Sequence, residues 1–202
     1  MGKGSYVANG VFRVLALISA SIVAGIIGHF LYLLGDAGGS ANAKIVFTVS
    51  LAGISIFFSL VLLPPFRCVF WAAPLDLAIF IMWMTSFGLL ENLSGGHPCN
   101  AYWRYNYWGY YWGGYYSTFP QSVASNSIVN SAGCSPWRTA LAFIFLGGSC
   151  WLVNACIVRL AFLTSHPLAF VDANPRHQGL IALVSGKEEA KTESVPQNRS
   201  SV

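Results

Sequence analysis

The sequence predicts an all-α membrane protein, a four-transmembrane-helix bundle with a large, disulfide-bracketed second outer loop. Of its 202 residues 55% are hydrophobic and only 9% are charged, whereas a soluble domain carries about 25% charged residues. Four apolar runs are each long enough to cross a hydrocarbon core of about 30 Å. They are continuous rather than alternating, which excludes a transmembrane β-barrel. Cys99 and Cys134 bracket the polar, aromatic-rich segment between the third and fourth runs, which predicts the loop.

The four runs divide the chain into a membrane domain and two flanking segments. The membrane domain is predicted over residues 11–163, with helices at residues 11–34, 45–63, 69–90 and 137–163 and an outer loop at residues 91–136. Residues 1–10 are predicted to be a cytosolic N-terminus, and residues 164–202, which are polar and mostly aperiodic, a largely disordered cytosolic tail. The first run has about 24 residues, longer than the 7–15 apolar residues of a signal peptide, so we interpret it as a helix.

The basic residues and the loop cysteines predict the orientation. If both termini are cytosolic, more basic residues lie beside the membrane on that side than on the other, as membrane proteins prefer. The two sets are Lys3, Arg13, Arg67, Arg159 and Arg176 against Lys44, Arg104 and Arg138. A disulfide between Cys99 and Cys134 needs an oxidising compartment, so the loop should face outwards. We therefore predict a multi-pass membrane protein with both termini cytosolic.

Asp76 is the one acid inside the four runs. An acid at such a position normally faces the bundle interior and has a partner there. Asn154 reaches a similar depth on the fourth helix, and Arg159 lies about one turn nearer the cytosol. Arg13 on the first helix is the other candidate cation. We predict a structural intramembrane polar contact among Asp76, Asn154 and Arg159; the alternative is a proton or cation relay that uses Asp76.

The outer loop contains the run YWRYNYWGYYWGGYY at residues 102–116, in which almost every residue is aromatic or glycine. Tyrosine and tryptophan are enriched at membrane interfaces, because their rings are apolar and their tips are polar. We therefore favour packing against the lipid headgroups, while a small β-hairpin, stacking on sugars and contact with a partner remain alternatives. The predicted aromatic surface consists of Tyr102, Trp103, Tyr105, Trp108 and Trp112.

Small residues recur within the predicted helices. Ser21 and Gly25 lie four residues apart on the first helix, Ser55 and Ser59 on the second, and Gly147-Gly148 on the fourth. Small faces let helix backbones approach closely inside a membrane. The pattern favours packing within the bundle, and contact between copies of the chain is the alternative.

The sequence offers no arrangement for catalysis, and we do not expect an enzyme. The five cysteines and four histidines form no ligand-spaced set, so no metal and no cofactor are expected. The scattered basic residues exclude a nucleic-acid surface. The expected partners are membrane lipids, a second copy of the chain or other membrane proteins. Cys68, at the cytosolic start of the third helix, is a candidate for palmitoylation.

Three sequence patterns stand out: Asp76 followed by Trp83 in the third helix, Cys-x-x-Trp-Arg at residues 134–138, and Ala142-Phe143 leading to Trp151 in the fourth helix. Together they resemble the MARVEL-domain family, in particular its fungal members. Four spans with cytosolic ends and a large second loop with paired cysteines agree with the same family. The resemblance covers about residues 7–162; the aromatic run at residues 102–116 is not part of the family pattern.

The resemblance implies a non-enzymatic role in membrane organisation, membrane apposition or vesicle trafficking. It also implies a location in the plasma membrane or in secretory or endosomal vesicles. The alternative function is an accessory subunit of a transporter or channel, or a small transporter that uses Asp76. Tetraspanins are excluded because their Cys-Cys-Gly signature is absent, and claudins because the first loop contains no cysteine.

Overall fold

A computed structural model describes residues 3–63, 69–95, 99 and 101–165, although not the side chains of residues 3–6, 69–72 and 161–165. Its α-helices in chain order are α1 (Lys3–Asp36), α2 (Ala43–Val61), α3 (Val69–Ser94), α4 (Gly109–Trp112), α5 (Asn126–Val129) and α6 (Cys134–Ser165). α1, α2, α3 and α6 contain four segments long and apolar enough to span a membrane: Val7–Asp36, Ala43–Val61, Ala73–Ser94 and Cys134–Leu160. The described residues contain no strand. The predicted all-α, four-helix membrane bundle is confirmed.

All four long helices extend beyond their apolar runs at one end or at both. α1 begins at Lys3 rather than at residue 11, α3 continues to Ser94, and α6 begins at Cys134. Hydropathy marks where a helix meets lipid, whereas the backbone hydrogen bonds continue through polar residues. Pro136 does not interrupt α6, because a proline is tolerated in the first turn of a helix.

The described residues up to Arg159 form one compact unit, and the described residues from Leu160 belong to a second. Of the second unit the structure describes only the last turns of α6, to Ser165. The tail predicted at residues 164–202 therefore lies almost entirely outside the described residues. The candidate palmitoylation site at Cys68 also lies outside them.

Direct hydrogen bonds between side chains join α2 to α3 in the bundle interior. The indole Nε1 of Trp83 donates to Ser55 Oγ at 2.8 Å, and the hydroxyls of Thr48 and Ser86 lie 2.7 Å apart. All four residues are buried. Ser55, which the sequence marked as part of a small-residue face, is thus used within the chain's own bundle.

The small residues of α6 and α1 have different surroundings. A Cβ atom at Gly147 would lie 3.3 Å from Ser19 Cβ, and one at Gly148 would lie 3.1 Å from Trp83 Cβ and would also meet Met84 Cε. These two glycines therefore let α6 approach α1 and α3. Ser21 and Gly25 are exposed instead, and a Cβ at Gly25 would meet nothing within 4 Å.

Replacing Gly148 by leucine is expected to destabilise the bundle by about 1–3 kcal/mol, because a larger side chain overpacks a filled interface. Thermal unfolding of the purified protein in detergent measures this change. Gly25→Leu is the matched control: it adds the same side chain to a transmembrane helix at an exposed position, so the unfolding temperature should not fall. Equal losses in the two variants would show that Gly148 is not at a tight interface.

The segment between α3 and α6 folds into a compact cap, residues 101–133. It consists of a π-helical turn at Arg104–Trp108, α4, short 3₁₀ turns at Tyr115–Ser117 and Gln121–Val123, and α5. The β-hairpin that the sequence left open as an alternative is not formed. Cap residues pack against Phe30 and His29 of α1 and Trp137 of α6, so the cap covers the bundle end where α1 finishes and α6 begins.

Candidate functional site

Polar and aromatic groups concentrate in two parts of the molecule. One is a polar cluster inside the bundle, made of Arg13, Asp76, Trp151 and Asn154. The other is the cap. Both bring together elements that are distant in the sequence, and each contains residues for which the sequence predicted a role.

The polar cluster is built on a buried ion pair. Arg13 Nη2 donates to both carboxylate oxygens of Asp76, at 2.7 and 2.6 Å. The two side chains are 1% and 0% exposed. The guanidinium carbon of Arg13 also lies 4.7 Å from the ring centroid of Trp151, a cation–π contact. The pair therefore ties α1 to α3, and Trp151 extends the contact to α6.

Arg13, and not Arg159, is the cation that faces Asp76. Asp76 and Asn154 are fully buried, as predicted, whereas Arg159 is exposed. Asn154 and Arg159 are five positions apart, which places them about 140° apart around the helix, so they cannot both face the interior. Arg159 continues an exposed stripe that includes Leu152 and Cys156. The predicted role of Arg159 in the contact was therefore wrong.

Several polar atoms of the cluster have no hydrogen-bond partner among the described residues. They are Arg13 Nε and Nη1, Trp151 Nε1, and both amide atoms of Asn154. Asn154 is thus buried, as predicted, but it makes no hydrogen bond to Asp76. The ion pair balances its own charge, and nothing about these contacts requires Asp76 to exchange a proton.

Arg104 organises the cap. Its Nε donates to the carbonyl oxygen of Cys99 at 2.7 Å, Nη1 to that of Ala132 at 2.6 Å, and Nη2 to that of Asn130 at 2.9 Å. The side chain is fully buried, and this burial lowers the pKa of Arg104 from its ordinary value. One planar guanidinium therefore holds both ends of the cap together, a geometry that the compact ammonium of lysine cannot reproduce.

The disulfide joins the cap ends at the same place. Cys99 and Cys134 are bonded, with their Cα atoms 5.5 Å apart. Cys134 is the first residue of α6, and Cys99 is also the residue whose carbonyl accepts from Arg104. The disulfide and the hydrogen bonds of Arg104 thus close the cap at the same place. The disulfide was predicted from the sequence, and the role of Arg104 was not.

Trp108 lies at the centre of an aromatic core rather than on a surface. It is 0% exposed. It stacks on Phe30 with ring centroids 4.4 Å apart and on Trp112 at 5.2 Å, and it meets Trp137 edge-on at 4.9 Å. Its Nε1 donates to the carbonyl oxygen of Gly133 at 2.8 Å. Such pairs add to the burial of apolar area and fix the relative positions of the rings.

The predicted aromatic surface is therefore wrong for Trp108, while Tyr102 is 69% exposed as predicted. Trp103, Tyr105 and Trp112 are intermediate. The aromatic run folds into a π-helical turn followed by α4, so its rings alternate between the cap core and its outside with a helical period. The enrichment of tyrosine and tryptophan at membrane interfaces could not reveal which rings are buried. It depends on residue type and not on the face of the helix on which each residue lies.

Two glycines allow the backbone to close around these rings. Gly133 has φ +69°, and a Cβ there would lie 2.8 Å from both Trp108 Cδ1 and Nε1. A Cβ at Gly109 would lie 2.8 Å from the carbonyl oxygen of Ala132 and 3.2 Å from Arg104 Nη1. Only glycine fits at either position without displacing the groups that close the cap.

The cap is also fastened to the end of α1 and the segment after it. The Tyr107 hydroxyl donates to the carbonyl oxygen of Ser40, and the Tyr116 hydroxyl donates to Asp36 Oδ2 at 3.1 Å. Burial raises the pKa of Tyr107, which keeps its phenol protonated as a donor. These hydrogen bonds and the stacking of Phe30 on Trp108 fix the position of the cap on the end of α1.

Arg104→Lys is expected to loosen the cap, because up to three part-buried carbonyl oxygens lose a partner. Each loss costs at most about 1–3 kcal/mol, the value for a fully buried group. Limited proteolysis of the purified protein should cut residues 101–133 faster, with the helices left intact. Arg138→Lys is the matched control, since Arg138 is exposed and its replacement should leave the cleavage rate unchanged. A cap as resistant in Arg104→Lys as in the wild type would contradict the role of Arg104.

The sequence did not predict that Arg104 closes the cap or that the cap packs against Phe30 and Trp137. Arg104 was counted only as a basic residue beside the membrane, yet its position inside an aromatic run was a usable signal. An arginine surrounded by rings and glycines is more easily buried than one in a polar segment. Phe30 lies among apolar residues and gave no signal, and Trp137 was noted only as part of the Cys-x-x-Trp-Arg pattern.

Comparisons with protein-family models, curated protein sequences and solved structures give no match to this chain. Among the described residues no group of three or more histidine, cysteine, aspartate or glutamate side chains could hold a metal ion.

Proposed function

We propose that this chain is a non-enzymatic integral membrane protein that organises membranes, through membrane apposition, lateral organisation or vesicle trafficking. The cap carries this proposal. It is a folded module seated on one end of the bundle, closed by a disulfide and by Arg104. A module of this kind presents a fixed shape beyond the lipid, which suits recognition better than conduction.

The resemblance to fungal MARVEL-domain proteins supports the same proposal. Two of the residues that carry it, Trp83 and Trp151, are fully buried at the centre of the bundle, and Asp76 forms the ion pair with Arg13. The residues that carry the resemblance are thus part of the packing of the bundle. This is expected if the family pattern specifies a fold.

We further propose that the cap faces the outside or a lumen, with both termini in the cytosol, at the plasma membrane or in secretory or endosomal vesicles. An even number of crossings is consistent with both termini on one side of the membrane. The disulfide at the cap requires an oxidising compartment. Lipids and other membrane helices are the proposed partners, and the exposed Ser21 and Gly25 leave a small-residue face on α1 that a second copy could contact.

The second candidate is a transporter, or an accessory subunit of one, that uses Asp76. The buried polar cluster favours it, because ionisable groups inside a membrane often mark a pathway. The direct ion pair with Arg13 weighs against it, since it neutralises Asp76 without a substrate. We therefore retain membrane organisation as the conclusion.

Proximity labelling of the tagged full-length protein in its native membrane tests the proposal. We expect the labelled neighbours to be scaffold and trafficking proteins, and we expect the cap variant Cys99→Ser/Cys134→Ser to lose them. The charge-free variant Arg13→Leu/Asp76→Leu should keep the wild-type neighbours, because it leaves the cap untouched. Neighbours dominated by transporter or channel subunits, together with a flux lost in the charge-free variant, would favour the second candidate instead.

A further inference from the structure

The polar cluster contains buried donors and acceptors that the described residues do not satisfy. Arg13, Trp151 and Asn154 are each at least nine-tenths buried, and unpartnered atoms remain on all three. A buried polar group without a partner costs about 1–3 kcal/mol, and lipid offers no hydrogen bonds from outside. These unpartnered atoms are therefore candidates to bind a small ligand.

Contact and helical spacing relate the residues that carry these atoms. The Arg13 guanidinium lies over the ring of Trp151, 4.7 Å from its centroid. Trp151 and Asn154 are three residues apart on α6, so their side chains are neighbours on one helix face. Asn9, whose Oδ1 also lacks a partner, lies one turn before Arg13 on α1.

The chemistry of these atoms limits the ligand. Arg13 Nε and Nη1, Trp151 Nε1 and Asn154 Nδ2 provide only N–H donors, whereas the Oδ1 atoms of Asn154 and Asn9 are acceptors. The ligand must therefore accept several hydrogen bonds and donate a few. It must also be neutral, because Arg13 and Asp76 already balance each other and an added ion would be a buried, uncompensated charge. The full burial of the site requires it to be small.

Water meets all three conditions. We propose that Arg13, Trp151 and Asn154 form an internal water site, in which trapped water molecules accept from the guanidinium, the indole and the amide and donate to the amide oxygens. Buried water typically makes about three hydrogen bonds to polar groups that would otherwise be unsatisfied. The site would solvate the free edge of Arg13 while Asp76 holds the other edge.

Trp83 provides an internal contrast. It is as fully buried as Trp151 and lies in a membrane-spanning helix, yet its Nε1 donates directly to Ser55 Oγ at 2.8 Å. Thr48 and Ser86, on the same two helices, also pair directly. These groups need no water. The water site is therefore expected to stay near Arg13 and Asn154 and not to extend along the bundle as far as Trp83. This inference does not depend on the proposed function.

Radiolytic hydroxyl-radical footprinting of the full chain in lipid nanodiscs tests the water site. X-rays generate radicals from ordered water within a protein, and these modify the adjacent side chains even where bulk solvent has no access. We expect Trp151 to be modified severalfold faster than Trp83, the control with equal burial and a satisfied indole. Equal rates for the two tryptophans in the wild-type protein would overturn the proposal.

The variant Asn154→Leu tests whether water bound at the site causes the modification of Trp151. It should lower the modification of Trp151 towards that of Trp83, with Trp83 itself unchanged. Unchanged modification of Trp151 would overturn the proposal, because the radicals would then not come from water bound by Asn154. If the variant unfolds, the modification of Trp83 rises as well, and the comparison within the wild-type protein decides alone.

Discussion

Arg13→Leu is expected to lower the free energy of unfolding by about 3–5 kcal/mol, because it leaves the carboxylate of Asp76 buried without a charge partner. Both side chains are almost fully buried and joined at 2.6 Å, so water cannot replace the lost cation from outside. The measurement is the unfolding of the purified protein in detergent, followed by heat or by denaturant. Arg159→Leu is the control for removing a basic residue, since Arg159 is exposed, and it should change stability little.

The double variant Arg13→Leu/Asp76→Leu should regain most of the stability that Arg13→Leu loses. Replacing both members of a buried ion pair by apolar residues is often neutral or stabilising. This recovery distinguishes an unpaired charge from a simple loss of packing by the arginine side chain. A double variant as unstable as Arg13→Leu would contradict the account of Asp76 as a structural ion-pair partner.

Cys99→Ser/Cys134→Ser is expected to remove about 4 kcal/mol of stabilisation from the cap, the chain-entropy value for a closed loop of about 36 residues. The two cysteines are 35 positions apart in the sequence. The long helices should remain inserted, because their backbone hydrogen bonds lie within each span. Limited proteolysis should therefore cut the cap quickly and leave fragments that contain the helices.

A maleimide-shift assay under non-reducing conditions checks the bond in the mature protein. In protein denatured with detergent, Cys99 and Cys134 should resist labelling until a reductant is added, whereas the free thiol of Cys156 should react without it. Cys156→Ser is the control for a change of cysteine alone, and it should leave the cap resistant to protease. Free labelling of both cap cysteines in protein from an oxidising compartment would show that the bond does not form, and it would also remove the main support for the proposed orientation.

The contrast between Asn154 and Arg159 shows where sequence reasoning reached its limit. Depth along a helix can be counted from the sequence, and Asn154 is indeed buried at the level of the polar cluster. The face on which a residue lies follows from the helical period only when the packing of the neighbouring helices is known. Arg13 was recognised as a candidate cation, but the choice between it and Arg159 depended on which stripe of α6 faces the interior.

The sequence by itself determined the four spans, the cysteine pair of the second loop and the burial of Asp76. These features depend on local hydropathy, on residue chemistry and on the cost of an acid in hydrocarbon, all of which can be evaluated along a single segment. The tertiary structure alone decided that Arg13 pairs with Asp76, that Arg104 closes the cap, and that Trp108 is a core residue. It also decided that Gly148 lies at a tight interface while Gly25 faces outwards. Each of these outcomes depends on which residues of distant segments meet, and no pattern within one segment contains that information.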